Sequence, residues 1–270
     1  MTTPLARANQ RVKDAAKLSR RSERSERRLF LADGPNAVEG ALEVPDRVVE
    51  VFATLEATER YAGLAERAPR WTLAEPRAVE ALSDSVSPAG LVAVCRFLDV
   101  PVTDALMADP VGGSPRLVTI CADVRDPGNA GTVIRTSDAM GADAVILAGS
   151  SVDPYNPKTV RASAGSLFHL PVAVAPDAEA AVTAAREAGL TVLAADGDGE
   201  VDLAAADDLF SGPVAWLFGN EARGLAPELA AAADHRVRIQ LHGRAESLNL
   251  ATAAAVCLYA TARAQRASRG

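Results

Sequence analysis

Five polar side chains sit in or just beyond glycine-bearing turns that follow apolar runs. They are Asn129 and Arg135 in "NAGTVIR" (129–135), Glu221 in "FGNEARG" (218–224), and Ser247 and Asn249 in "SLNLATA" (247–253). Their chemistry is that of holding and orienting. A carboxamide donates and accepts, a hydroxyl does both, a carboxylate accepts, and a guanidinium only donates and stays charged at cellular pH. Each has a plain structural alternative. Asn129 and Ser247 suit helix N-caps, Glu221 an exposed turn, and Arg135 an i,i+3 pair with Asp138. Nothing about stability requires the arginine. Three such turns at the carboxyl ends of three buried strands converge on one sheet edge, the usual place for an adenosine-sized ligand.

The elements that must position these residues follow from hydrophobic patterning. "LVTICADV" (117–124), "ADAVILAG", "PVAVA", "LTVLAADG", "PVAWLFGN" and "RVRIQLH" are short apolar runs separated by helical or turn segments. Such runs read as strands buried on both faces of a largely parallel sheet. The first turn (125–128) leads to a helix starting and capped at Asn129, with Gly141 as its C-cap. Gly219 and Gly224 permit close backbone approach in the second, and Ser247 or Asn249 starts the alanine-rich last helix of the third. Upstream, residues 4–24 read as one polar helix. Strands follow at 29–34, 47–54, near Trp71 and 90–98, with helices at 36–42, 55–68 and from Pro76. This gives an α/β domain over 1–106, a Pro/Gly-rich linker over 107–116, and a second α/β domain over 117–270.

The 270-residue chain is 49% hydrophobic and only 4% aromatic, as expected of helices packed on sheets through small side chains. Its net charge of −7 is uneven. The first 28 residues hold nine Lys/Arg against three acids, a surplus of six, and the remainder stands at −13. A basic terminus on an acidic body suits either a polyanion or a solvated, ion-paired helix. Cys95, Cys121 and Cys257 show neither disulfide nor zinc spacing, and His169, His235 and His242 have no ligand spacing, so no metal is expected. No apolar run reaches the roughly 18 residues that span a bilayer, which points to no membrane and a cytoplasmic setting. The GxG in "ADGDGE" (195–200) lacks the third glycine and following helix of a dinucleotide fold.

The three motifs, in their order and spacing, resemble those of the SpoU (TrmH-like) family of SPOUT RNA 2′-O-ribose methyltransferases, over about residues 117–265. "YNPKTVRASAGSLFHLPV" (155–172) also resembles a family segment, and the first hundred residues more weakly resemble the family's ribosomal-protein-like substrate domain. The resemblance implies a deep trefoil knot near residues 215–250, a homodimer, and S-adenosylmethionine as methyl donor. It places backbone groups around Leu217, Phe218, Gly219, Ile239, Leu241 and Leu248, with Ala195, Asn220 and Gly224, around that cofactor. Arg135, Asn129, Glu221, Ser247 and Asn249 take the catalytic positions, with Arg135 holding a phosphate and the developing alkoxide. Arg20, Arg21 and Arg24 on the basic helix, with Lys158 and Arg161, are the expected RNA contacts. Ribosomal RNA is the expected substrate, with transfer RNA or a non-catalytic RNA-binding role as alternatives.

Overall fold

The computed structural model describes residues 3–107 and 115–268. Contacts divide it into two compact units, Met1–Leu98 with Asp153–His169, and Asp99–Val152 with Leu170–Gly270. The expected linker at 107–116 lies mostly outside the described residues. The expected boundaries shift in two places. Residues 99–106 belong to the second unit, where Val100 bridges Ala173 and Ala105 and Leu106 enter the apolar core. Residues 153–169 belong to the first. Their Pro- and Asp-rich flanks hide which core they join, a matter that packing decides and local sequence does not.

The first unit holds a four-stranded sheet of β1 (Leu29–Asp33), β2 (Val48–Ala53), β3 (Trp71–Leu73) and β4 (Leu91–Arg96), ordered β1-β4-β2-β3. β4 runs antiparallel to both neighbours, and β3 is parallel to β2. The period of two along β1 divides its side chains between two cores. Leu31 packs with Val12, Leu18 and Phe52, and Phe30 meets Tyr155 and Phe168 on the other side.

The expected helix at 4–24 is two helices, Gln10–Ala16 and Arg21–Arg27, separated by the 3-10 turn Lys17–Ser19. Arg20 is extended between them. Arg24 explains the break. Its guanidinium donates to the carbonyls of Leu18 and Ser19 at 3.0 and 2.8 Å, filling acceptors that a continuous helix would have used. It also grips Asp153 Oδ2 through Nη2 at 2.7 Å and Nε at 3.0 Å. With 2% of its surface exposed, Arg24 is unavailable to an RNA phosphate, which corrects its expected role. The 55–68 helix also divides, at Tyr61, into Leu55–Arg60 and Ala62–Arg67.

In the second unit β5 (Leu117–Ala122), β6 (Ala144–Ala148), β7 (Val172–Ala175), β8 (Thr191–Ala195), β9 (Val201–Asp202), β10 (Val214–Phe218) and β11 (His235–Arg238) form one sheet. Every recorded pairing is parallel, in the order β7-β6-β5-β10-β8-β11-β9. β5, β6 and β10 are buried along their whole length, as their unbroken apolar runs require. The chain builds outward from β5 to β7, crosses to β8, and only later lays β10 into the gap between β5 and β8. Loops leaving β5, β10 and β8 therefore share one edge at the reversal of strand order. The last helix, Leu250–Ala267, packs on the helix Pro127–Met140 and on β10, where Trp216 Nε1 donates to Thr261 Oγ1 at 2.8 Å.

Because Arg24 and Asp153 form a buried pair, Arg24→Ala should lower unfolding free energy by about 3 kcal/mol, the usual cost of stranding one partner of such a pair. Denaturant titration checks this; a loss below about 1 kcal/mol would mean the pair is dispensable.

Candidate active site

The turn after β5 is fixed from within and from outside. The helix begins at Pro127, not Asn129, and Asp126 is its N-cap, accepting from Asn129 N at 2.8 Å. Asn129 is thus in the first turn with its carboxamide free for other partners, a correction to its expected capping role. The aspartate in "DPGN" is the better cap because its ionised side chain favours the positive helix end. Upstream, Asp123 sits in the left-handed region at φ 57° and its carbonyl accepts from Asn220 Nδ2 at 2.9 Å. Gly141 closes the helix in the left-handed conformation, as expected.

The turn after β10 is a tight reversal in which Asn220 and Gly224 exchange backbone hydrogen bonds of 2.9 and 2.8 Å. Asn220 Oδ1 accepts from the amides of Ala222 and Arg223 at 3.1 and 3.2 Å, so the side chain stiffens the loop. Gly224 holds φ +67°, and a Cβ on Gly219 would lie 2.4 Å from the Gly224 carbonyl carbon. Only glycine at 219 leaves room for that reversal.

Glu221 projects from this loop to the first turn. Its Oε1 accepts from Asp126 N at 2.9 Å and its Oε2 from Arg125 N at 3.2 Å. Asn129 Nδ2 adds a third donor at 3.3 Å, and Asn129 Oδ1 accepts from Asn249 Nδ2 at 3.0 Å. Asn249 itself caps the last helix through Ala251 N and Thr252 N. One chain of hydrogen bonds thus links all three turns. Desolvation pushes the Glu221 carboxyl upward, but hydrogen bonds from its own amide, those of Asp126 and Arg125, and Asn129 outweigh it, so its pKa lies below the ordinary carboxylate value. The contact therefore stabilises the fold above that ordinary value and is lost as pH falls through the lowered one. A carboxylate so held is a weak base and a firm anchor.

Beside this network lies a cavity of about 290 Å³. Of the residues expected around a cofactor, Ala195, Phe218, Gly219, Asn220, Gly224, Ile239, Leu241 and Leu248 line it, and so do Glu221 and Ser247. Leu217 is not among the lining residues; its side chain is wholly buried in the sheet core, on the face of β10 opposite Phe218. Sequence reading missed Asp196, Gly197, Val237, Glu246, Leu250 and Ala253. The end of "LTVLAADG" was the available signal for Asp196 and Gly197, since ligands gather beyond strand ends. Asn129, Asn249 and Arg135 are not among the lining residues; Arg135 is exposed further along the Pro127–Met140 helix. Glu221 holds the 125–129 turn through the amides of Arg125 and Asp126.

The expected RNA contacts lie in the first unit. Arg20 shares a cleft of about 620 Å³ with Arg7, Lys13 and Lys17. Arg21 and Lys158 are exposed, and Arg161 is half-buried and paired with Asp84. Cys95, Cys121 and Cys257 are buried, and burial pushes the Cys121 thiol up to about 12. Among the described residues no group of three or more His, Cys, Asp or Glu is placed to hold a metal, and no helix is long and apolar enough to cross a membrane.

Gly219→Ala should lower unfolding free energy by about 1–3 kcal/mol, because the reversal from 219 to 224 must open to admit the added side chain. Denaturant titration reads it, and an unchanged midpoint would show that the turn tolerates a side chain.

Comparison with known proteins agrees with this geometry. The SpoU rRNA Methylase family matches residues 116–259, and the MRM3-like substrate binding domain matches residues 9–93. The chain is 34% identical over 254 residues to the 23S rRNA (guanosine(2553)-2′-O)-methyltransferase RlmP of Bacillus subtilis, covering 93% of this chain and 95% of that protein. It is 40% identical over 146 residues to the 23S rRNA (uridine(2479)-2′-O)-methyltransferase of Streptomyces viridochromogenes, covering 53% of this chain and 51% of that one. Among solved structures, the AdoMet-bound rRNA methyltransferase of Sinorhizobium meliloti superposes with a TM-score of 0.82 at 34% identity, covering 97% of each chain. The SpoU methyltransferase AviRb of Streptomyces viridochromogenes, in complex with AdoMet, gives 0.82 at 31% identity over 96% of this chain and all of that one. With its motifs on three joined turns and a 34%-identical relative matched over 93% of its length, the chain belongs to the SpoU rRNA methylase family.

Proposed function

We propose that this protein transfers the methyl group of S-adenosylmethionine to a ribose 2′-hydroxyl of RNA, in large-subunit ribosomal RNA. The observation that carries this is the hydrogen-bonded chain Glu221–Asn129–Asn249 beside the cavity at the ends of β8 and β10. The names of the relatives identify ribosomal RNA as the substrate class.

The cavity suits the cofactor. Phe218, Ile239, Leu241 and Leu248 offer apolar surface to a purine, and Asp196 and Glu246 offer negative charge to a cation. The backbones at Ala195, Gly219, Asn220 and Gly224 complete the cradle. When bound, S-adenosylmethionine supplies an electrophilic methyl group, and the protein's task is alignment with the attacking oxygen. Asn129, Ser247 and Asn249 orient the ribose and the cofactor by hydrogen bonds. Glu221 fixes the turn that presents Asn129. Arg135, a permanent cation, holds an adjoining phosphate and stabilises negative charge growing on the 2′-oxygen.

The first unit, residues 1–98 with the 153–169 segment, serves as the RNA-binding part. Its match to a substrate-binding domain supports this, as does the cleft of Arg7, Lys13, Lys17 and Arg20. Arg21, Lys158 and Arg161 add cations to the same unit. Exposed Val256 and Tyr259 on the last helix support a homodimer. The insertion of β10 between strands laid down earlier supports a knotted chain. Ribosomal RNA as substrate, with reduced buried thiols, supports a cytoplasmic setting.

Tritiated methyl transfer to ribosomal RNA tests the activity. Arg135→Ala should lower turnover at least about 100-fold with an unchanged unfolding curve. Near-normal turnover by that variant would remove Arg135 from the reaction.

A further inference from the structure

A second cavity, of about 230 Å³, opens in the first unit where β1 ends. Its walls include Asp33, Asn36, Ser85, Ser87, Arg161 and Ala164. Asp33 is the last residue of β1, and its Oδ2 accepts from Ser83 Oγ at 2.5 Å. Each carboxylate oxygen has two lone pairs, so both oxygens can still accept. The helix Pro35–Glu43 starts on the same wall with Gly34 as N-cap and no side-chain cap, which leaves first-turn amides as further donors. Arg161 is held in the wall by its ion pair with Asp84. Ala164 takes a left-handed backbone, φ 50°, as the C-cap of the helix Pro157–Ser163, which brings this end of the helix to the cavity wall.

We infer that this cavity holds an unpaired guanine base of the RNA substrate, with the Asp33 carboxylate receiving its paired N–H donors. The inference rests on the RNA-methylating reading above and adds to it a base-reading site in the substrate-binding unit. The choice of base follows from the donor pattern. Guanine alone presents two adjacent donors, N1–H and N2–H, on its Watson–Crick edge, matching the two oxygens of a carboxylate. Adenine and cytosine set one donor beside an acceptor, and uracil sets one between two acceptors. The open amides of the Pro35–Glu43 helix and the serine hydroxyls suit guanine O6, and Arg161 suits the attached phosphate. Unpaired bases, splayed from the chain and read on that edge, are how proteins commonly recognise RNA sequence. Burial also weakens the solvation of the Asp33 carboxylate, with the Ser83 hydrogen bond and the Arg161 charge acting the other way, so ligand donors find an acceptor short of water.

The test is fluorescence anisotropy of the full chain with labelled 12-nucleotide oligouridylates carrying one central guanosine, inosine or adenosine. Inosine differs from guanosine only by the missing N2 amino group. The protein should bind the guanosine oligomer at least about tenfold tighter than the other two. Asp33→Asn, which sets a donor against donors, should bring the three within about twofold. Equal affinities for the three in the unaltered protein overturn the proposal whether or not the variant folds. So does a preference that survives Asp33→Asn, and so does binding of guanosine monophosphate without binding of any oligomer. Methyl transfer to ribosomal RNA, run on the same preparation, separates the failures. Transfer without guanosine preference rejects the base site alone, and absence of transfer rejects the enzymatic reading.

Discussion

The Glu221 carboxylate is the point through which the three motif turns are joined. It lies on the turn after β10 and accepts the amides of Arg125 and Asp126, which belong to the turn after β5. Both amides precede or cap a helix, where no intrahelical carbonyl can serve them, so an acceptor from elsewhere in the fold is required. Asn129 extends the link to Asn249, which in turn starts the last helix. A neutral acceptor would supply geometry without charge. Desolvation acts against the charge, and hydrogen bonds from Glu221's own amide, those of Asp126 and Arg125, and Asn129 outweigh it.

That link is possible because the sheet brings the turns within reach. β10 occupies the slot between β5 and β8, so residues 122–129 and 219–224 leave neighbouring strands in the same direction. Gly219 then lets the chain reverse against Gly224 without displacing the loop outward. The abundance of alanine has the same logic at larger scale. The last helix lies against the Pro127–Met140 helix with Ala251, Ala254 and Leu258 buried, which keeps Asn249 near Asn129. Packing and polar geometry therefore serve one end: a stiff rim around the cavity.

Much of this was legible in the amino-acid order. Unbroken apolar runs marked β5, β6 and β10, and the glycine-, asparagine- and glutamate-bearing turns marked the site edge, because period and turn chemistry are local properties. What was not legible depends on distant partners. Arg24 reads as one more cation on a basic helix, and only the meeting with Asp153, 129 residues away, buries it. Asn129 reads as a cap until Asp126 takes that place. Asp33 carried no motif at all. Its setting depends on Ser83 and Arg161 arriving from two other segments.

The most direct test of the anchor is amide hydrogen exchange at Arg125 and Asp126 in Glu221→Gln, measured by NMR against the unaltered protein. A glutamine has one oxygen where the glutamate offers two, so one of the two amides loses its acceptor. The account predicts exchange at one of those amides faster by at least about tenfold, with β5 unchanged, in keeping with the roughly 1.5–3 kcal/mol of a hydrogen bond to a charged group. Unaltered rates at both amides would show that the turn is held by something other than this carboxylate, and would contradict the account.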